Sequence, residues 1–382
     1  MLRPLQGSAH AGRQRILDLL HRLVVILVSA PLTVGGQAVI EGVMMRSPAS
    51  FSVAVRRRDG SIVVREQKVY NAFSRFRVFR WPLIRGAVML IESLLNGIAA
   101  LNFAADQAML DEQHAEKVRG ALPPAAGLLL STAPVTSEGN KKQSAALWAT
   151  LAVSLILGVA LFVGLPHGLT YLIGLWVPGG LNLDGAGFHL VDGAFKMAIF
   201  LGYITLISRL DDIKRLFMYH GAEHMSVHAF ERSLPLDVES TRPMSTAHPR
   251  CGTSLILWVV TISIFMFAAV FPLIPTLFEH ALANHVFAVL LKILLSLPVA
   301  GIAYEVQRGA ARHPGSRAVQ VLIRPGMWLQ ALTTRQPGDA ELEVALTALR
   351  SVLWREQQTE AASADERLER YVSFDEVMLK VA

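Results

Sequence analysis

Charge is what this sequence has least of. Asp, Glu, Lys and Arg make up 17% of its 382 residues, where a soluble chain carries about 25%. Apolar residues reach 52%, and they gather in blocks. A membrane span needs roughly 20 apolar residues. Ala145 to Leu165 and Thr253 to Ile274 hold no charge, Phe188 to Ser208 holds only Asp192 and Lys196, and Asn284 to Tyr304 holds only Lys292. Four such blocks predict a mainly α, polytopic membrane protein with four transmembrane helices and exclude an ordinary soluble domain.

Positive charge is also missing from particular places. Pro166 to Gly187 and Pro275 to Ala283 contain no Lys or Arg, whereas the central loop carries Arg209, Lys214, Arg215, Arg232, Arg242 and Arg250. Arg308, Arg312, Arg317 and Arg324 follow the last block, and Lys141 and Lys142 precede the first. Positive residues stay in the cytoplasm, so the chain is expected to be multi-pass in the inner membrane with both termini cytoplasmic. The net charge of +6 then reports topology. Its basic residues are scattered and accompany no nucleic-acid motif, so the expected partners are membrane lipids and not nucleic acid. Cysteine is nearly absent. Cys251 alone excludes an intrachain disulfide, and its cytoplasmic loop keeps the thiol reduced.

The remaining segments divide as follows. Residues 1–34 form an extension whose apolar stretch, Leu23 to Val34, reads as an interfacial helix, with a fifth span as the alternative. Residues 35–80 form a small cytoplasmic β-rich unit with a hairpin turn at Asp59-Gly60. Residues 81–119 predict an amphipathic or membrane-associated helix, and 120–143 a linker. The transmembrane domain covers 144–305 and encloses a cytoplasmic motif loop, 209–252. A cytoplasmic helical segment (306–356) repeats apolar residues at Leu342, Ala345, Leu346 and Leu349. A polar tail, 357–382, is expected to be loosely ordered.

Chemistry concentrates in the central loop. Tyr219 to His224 contains H-x-x-E-H, the reversed zinc-protease motif. Residues four apart share a helix face, so His220 and His224 could hold one divalent metal, with Glu223 placed to take a proton from bound water. His228 extends the stripe by one turn. His248 and Cys251, just before the third apolar block, would complete the coordination, and a thiolate favours zinc. Alternatively Cys251 stays free as a nucleophile or redox group. Glu41, Arg46, Arg250 and Glu305 are candidates for supporting ligands or substrate contacts, since guanidinium groups suit anionic, lipid-like substrates. For Glu41 and Arg46 a structural ion pair is the competing reading. Interfacial histidines bonded to backbone or headgroups compete with the metal site. Asp192 and Lys196 can pair on one helix face.

Several motifs carry a resemblance. Gly35 to Arg46 (GGQAVIEGVMMR), Arg85-Gly86, Tyr219 to His224 (YHGAEH), His248 to Thr253 (HPRCGT), Ala303 to Glu305 (AYE) and Pro325 to Pro337 (PGMWLQALTTRQP) resemble the YqhQ-like family of bacterial integral membrane proteins. That family is a domain of unknown function whose members are labelled predicted metal-dependent enzymes. The resemblance implies a metal site without naming a reaction. Three classes therefore stand: a membrane metal-dependent enzyme, possibly a hydrolase; a non-enzymatic scaffold or assembly factor; and a transporter.

Overall fold

The computed structural model describes residues 34–69, 79, 81, 84–119, 152–177, 181–183, 185–275, 277–312, 316–357 and 366–381. The helix expected over Leu23 to Val34, Val34 apart, and the linker over 120–143 lie outside the described residues. Five antiparallel strands form one sheet in the order β1 (Gly35–Val39), β2 (Gly42–Arg46), β3 (Ser50–Arg56), β4 (Ile62–Lys68) and β5 (Glu366–Tyr371). The hairpin at Asp59-Gly60 joins β3 to β4 and sets Arg56 opposite Ile62.

The helices follow as α1 (Ile84–Arg119), α2 (Ala152–Gly174), α3 (Ala186–Ile207), α4 (Asp211–Glu231), the short α5 (Val238–Thr241), α6 (Gly252–Val270), α7 (Ala281–Arg312), α8 (Arg317–Thr333), α9 (Asp339–Gln357) and α10 (Phe374–Lys380). The sheet is covered on both faces, which is why most positions of its inner strands β2, β3 and β4 are buried. Ala100, Phe103 and Ala104 of α1 pack against Val39, Phe51, Val53 and Val63 on one face. Tyr219, Ala222 and Met225 of α4, with Leu342, Ala345 and Leu349 of α9, pack against Val43, Met45, Ile62 and Val64 on the other.

One expectation is corrected. The tail beyond Gln357 is not loose throughout, because β5 pairs with the edge of β4 from Gln67↔Glu366 to Ile62↔Tyr371 and α10 follows. An open strand edge is a template for pairing, and Tyr371 is buried to 1% exposure. The number of candidate spans also differs. Among the described residues five helices are long and apolar enough to cross a membrane, one more than the four expected. The addition is Ile84–Glu112. Its apolar residues lie all round, some under the sheet and others, such as Leu94 and Leu95, exposed.

The first apolar block is also displaced. Its helix continues to Gly174, past Pro166 and His167, which sequence pattern had given to a loop. A helix-interior proline lacks the N–H that the preceding turn needs. A π-helical turn at Ala160–Gly164 lies immediately before it, and such wider turns accommodate the broken ladder.

Contacts along α1 fix its level. Arg85 pairs with Glu305 near the end of α7, and Gln307 donates to the carbonyl of Cys251 at 2.9 Å. Glu92 pairs with Arg46 at 3.3 Å and Asp111 with Arg57 at 2.6 Å. From its first turn to Asp111, α1 is tied to elements at the Cys251 end of the bundle.

Candidate metal centre

α4 carries the histidine stripe and is wedged between β1 and the chain that follows α8. Both contacts are tight. A Cβ on Gly36 would stand 2.8 Å from Cγ of Glu223, and one on Gly221 would stand 2.2 Å from the carbonyl oxygen of Arg335. Glycine at these points lets α4 approach β1 and the Thr333–Arg335 backbone.

That approach fixes the imidazoles. His220 Nδ1 donates to the carbonyl oxygen of Thr333 at 2.8 Å, and His224 Nδ1 donates to that of Thr246 at 2.6 Å. A carbonyl only accepts, so Nδ1 carries the proton and Nε2 keeps its lone pair. His220 Nε2 lies 3.3 Å from Cys251 Sγ, and His224 Nε2 lies 3.4 Å from Oε2 of Glu223. Ligand atoms of His220, His224 and Cys251 all lie within 4.8 Å of one another. Zinc bonds of about 2.05 and 2.3 Å at a tetrahedral angle put nitrogen and sulfur about 3.6 Å apart, near the distance found. Cys251 caps α6, accepting from the N–H of Thr253 at 3.4 Å. Glu223, His224 and Cys251 are buried.

His248 stands in a different group, with His228 and Glu231. Its Nδ1 accepts from the N–H of Arg250 at 3.3 Å and its Nε2 faces Glu231 at 3.2 Å. Both nitrogens are engaged, which is why His248 does not turn toward Cys251. Arg250 also pairs with Glu231. The bond from His248, with Arg250 beside it, holds Glu231 below the usual carboxylate range, and burial holds His228 below the usual imidazole range. This second group is closed by its own protons. The first instead points the unprotonated Nε2 atoms of His220 and His224 at Cys251 Sγ and the Glu223 carboxylate, a set of ligand types that suits a divalent metal.

The other candidates lie elsewhere. Glu41, in the β1–β2 turn at φ 53°, pairs with Arg215 at 2.6 Å and accepts from the Tyr219 hydroxyl at 3.3 Å. Burial pushes the Tyr219 phenol up. Arg46 meets Glu92 and Glu305 meets Arg85. Neither acid belongs to a three-ligand group among the described residues.

Sequence reasoning missed Gln330. It is fully buried, accepts from His248 N–H at 2.7 Å, and donates to His248 C=O at 2.9 Å and to Ser254 Oγ at 2.7 Å. It therefore clamps the HPRCGT loop to α8. The only sequence signal was its place in PGMWLQALTTRQP, quoted for resemblance without a role. Glu231 carried no signal of its own.

The sequence model of the family described as "Protein of unknown function (DUF1385)" matches residues 81–355. The chain belongs to this family. It is also 32% identical over 335 residues to the "Uncharacterized protein YqhQ" of Bacillus subtilis (strain 168), covering 86% of this chain and 95% of that one. No solved structure matches. Both histidine groups and Gln330 fall inside the DUF1385 match, whereas Glu41 and Arg46 precede it.

Proposed function

We propose that this protein is an integral membrane metal-dependent enzyme, of hydrolytic type, with its centre at the cytoplasmic face. One observation carries the reading. Ligand atoms of His220, His224 and Cys251 lie within 4.8 Å of one another while backbone carbonyls hold both Nδ1 protons, and Oε2 of Glu223 stands 3.4 Å from His224 Nε2. His220, His224 and Cys251 would hold the ion, zinc being favoured by the thiolate. The ion would supply Lewis acidity and an activated water. Glu223 would take the proton, while Thr333 and Thr246 orient the imidazoles. His248 and Glu231 position the Cys251 loop. Arg46 and Arg250 are engaged by carboxylates, so capture of an anionic lipid headgroup by either would require that pair to open.

Within this reading the chain crosses the membrane four times, and α1 lies along the cytoplasmic surface. The support is that the ion pairs of its described residues reach elements at the Cys251 end, while Leu94 and Leu95 stay exposed. The positive-inside pattern supports cytoplasmic termini.

Elemental analysis of the purified protein tests the centre. About one metal per chain is expected, lost in His220→Ala/His224→Ala and kept in Glu223→Gln. Unchanged metal in the double variant would end the proposal. A scaffold reading rests on the same contacts, since a thiol proton on Cys251 and one proton between His224 and Glu223 close the geometry without an ion. It expects metal-free protein and intact cellular function in Glu223→Gln.

A further inference from the structure

Asp192, Lys196 and Lys292, charged residues within α3 and α7, join one network at the end of the bundle away from Cys251. Asp192, His189 and Lys196 come from α3, Lys292 and His285 from α7, and His167 from α2. α6 contributes no titratable group, only the ring of Phe267, which with that of Phe271 just beyond its end lies beside the lysines. Tyr171 meets His285 edge to face. At 1.5 Å per residue, His285 lies about 6 Å and Lys292 about 16 Å along α7 from its start.

The bonds run in one line. Lys292 Nζ donates to Asp192 Oδ2 at 2.8 Å and meets His167 Nδ1 at 3.1 Å. An ammonium only donates, so His167 accepts there and carries its proton on Nε2. That Nε2 lies 2.9 Å from His285 Nδ1. The line thus passes from Asp192 and Lys292, both nearly fully buried, to the half-buried His285. Lys196 lies 3.9 Å from Asp192. Two lysines therefore share one carboxylate, leaving one positive charge in excess where the bilayer opposes charge. Asp192 Oδ1 and His189 Nδ1 are buried without a hydrogen-bond partner, so the network is incompletely satisfied.

We propose that this network is a proton-exchange site, with a relay from Lys292 through His167 to His285 that opens at the bundle end opposite Cys251. Loss of the excess proton needs no other reactant. Lys292 gives H⁺ to His167 Nδ1, His167 Nε2–H passes to His285 Nδ1, and His285 Nε2–H leaves to water. Lys292 becomes an amine, both histidines exchange tautomers, and uptake reverses each step. Asp192 holds the amine in place, and Lys196 keeps the local charge balanced. The site is independent of the metal centre and couples to proton movement at the opposite membrane face.

The test uses the full chain in lipid nanodiscs with ¹⁵N-labelled Lys and His. Lys292 Nζ, assigned by its loss in Lys292→Met, should exchange its protons for deuterons when the nanodiscs are moved into D₂O. His285→Gln, which keeps a hydrogen-bonding side chain but cannot relay, should slow that exchange roughly 100-fold. A Lys292 that keeps its protons in D₂O overturns the proposal. So does a His285→Gln protein that exchanges at the wild-type rate. If that variant does not fold, the wild-type exchange alone decides.

Discussion

Gly221→Ala sets two physical effects against each other. Alanine is the better helix former by about 1 kcal/mol, so propensity alone predicts stabilisation. The structure predicts the reverse. The new Cβ would stand 2.2 Å from the Arg335 carbonyl oxygen, and relief requires a shift of about 1 Å toward ordinary contact. The segment cannot give cheaply. Arg335 N–H donates to the Phe217 carbonyl at 2.9 Å, and Thr333 receives His220 at 2.8 Å. Overpacking costs about 1–3 kcal/mol, and weakening two hydrogen bonds adds about 1 kcal/mol each. Net destabilisation of about 2–4 kcal/mol remains after subtracting the propensity gain. Unfolding in mixed detergent–SDS micelles should show it, with Gly202→Ala as the control, because nothing lies within 4 Å of a Cβ there. A Gly221→Ala protein as stable as wild type would refute the claim that α4 is held by backbone contact with this segment.

Three further outcomes follow from the packing. Gln330→Leu keeps the volume but orphans the N–H of His248, whose C=O keeps the bond from Cys251 N–H at 3.2 Å. It should cost about 1–3 kcal/mol for that buried group in the same unfolding assay, and wild-type stability would rule out the clamp. Tyr371→Ala should cost about 3–5 kcal/mol because β5 is part of the sheet, and no change would restore the loose tail. Burial raises the Glu66 carboxyl above its ordinary range against the pull of Arg367 and Arg355. A raised carboxyl means the folded state holds its proton more tightly. Its contribution is therefore full below the unfolded value of about 4.3 and is lost as pH rises through the folded one. Glu66→Gln should gain stability relative to wild type between pH 4 and pH 8 in paired denaturation curves, and a relative loss over that interval would contradict the assignment.

Sequence alone determined what depends on short-range pattern. Apolar run length gave four of the five helices that are long and apolar enough to cross a membrane, because fitness to cross hydrocarbon is a matter of local composition. The spacing of His220, His224 and His228 put three imidazoles on one face, because helical periodicity is local. Asp59-Gly60 fixed the hairpin for the same reason. The sequence also showed that charge is scarce, and scarcity makes each buried charge informative.

Tertiary structure decided the partners. His248 and Cys251 are three residues apart, yet they enter different groups, because the loop between them turns under the clamp of Gln330, 82 positions away from His248. Glu41, Arg46 and Glu305 resemble site residues in sequence, but long-range approach gives each an ion-pair partner. β5 is polar and distant in sequence, and only the open edge of β4 orders it. His167 follows a proline that reads as a loop start, and the π turn keeps it inside a helix. Local pattern sets which atoms are available, whereas the meeting of segments far apart in sequence sets which of them face one another.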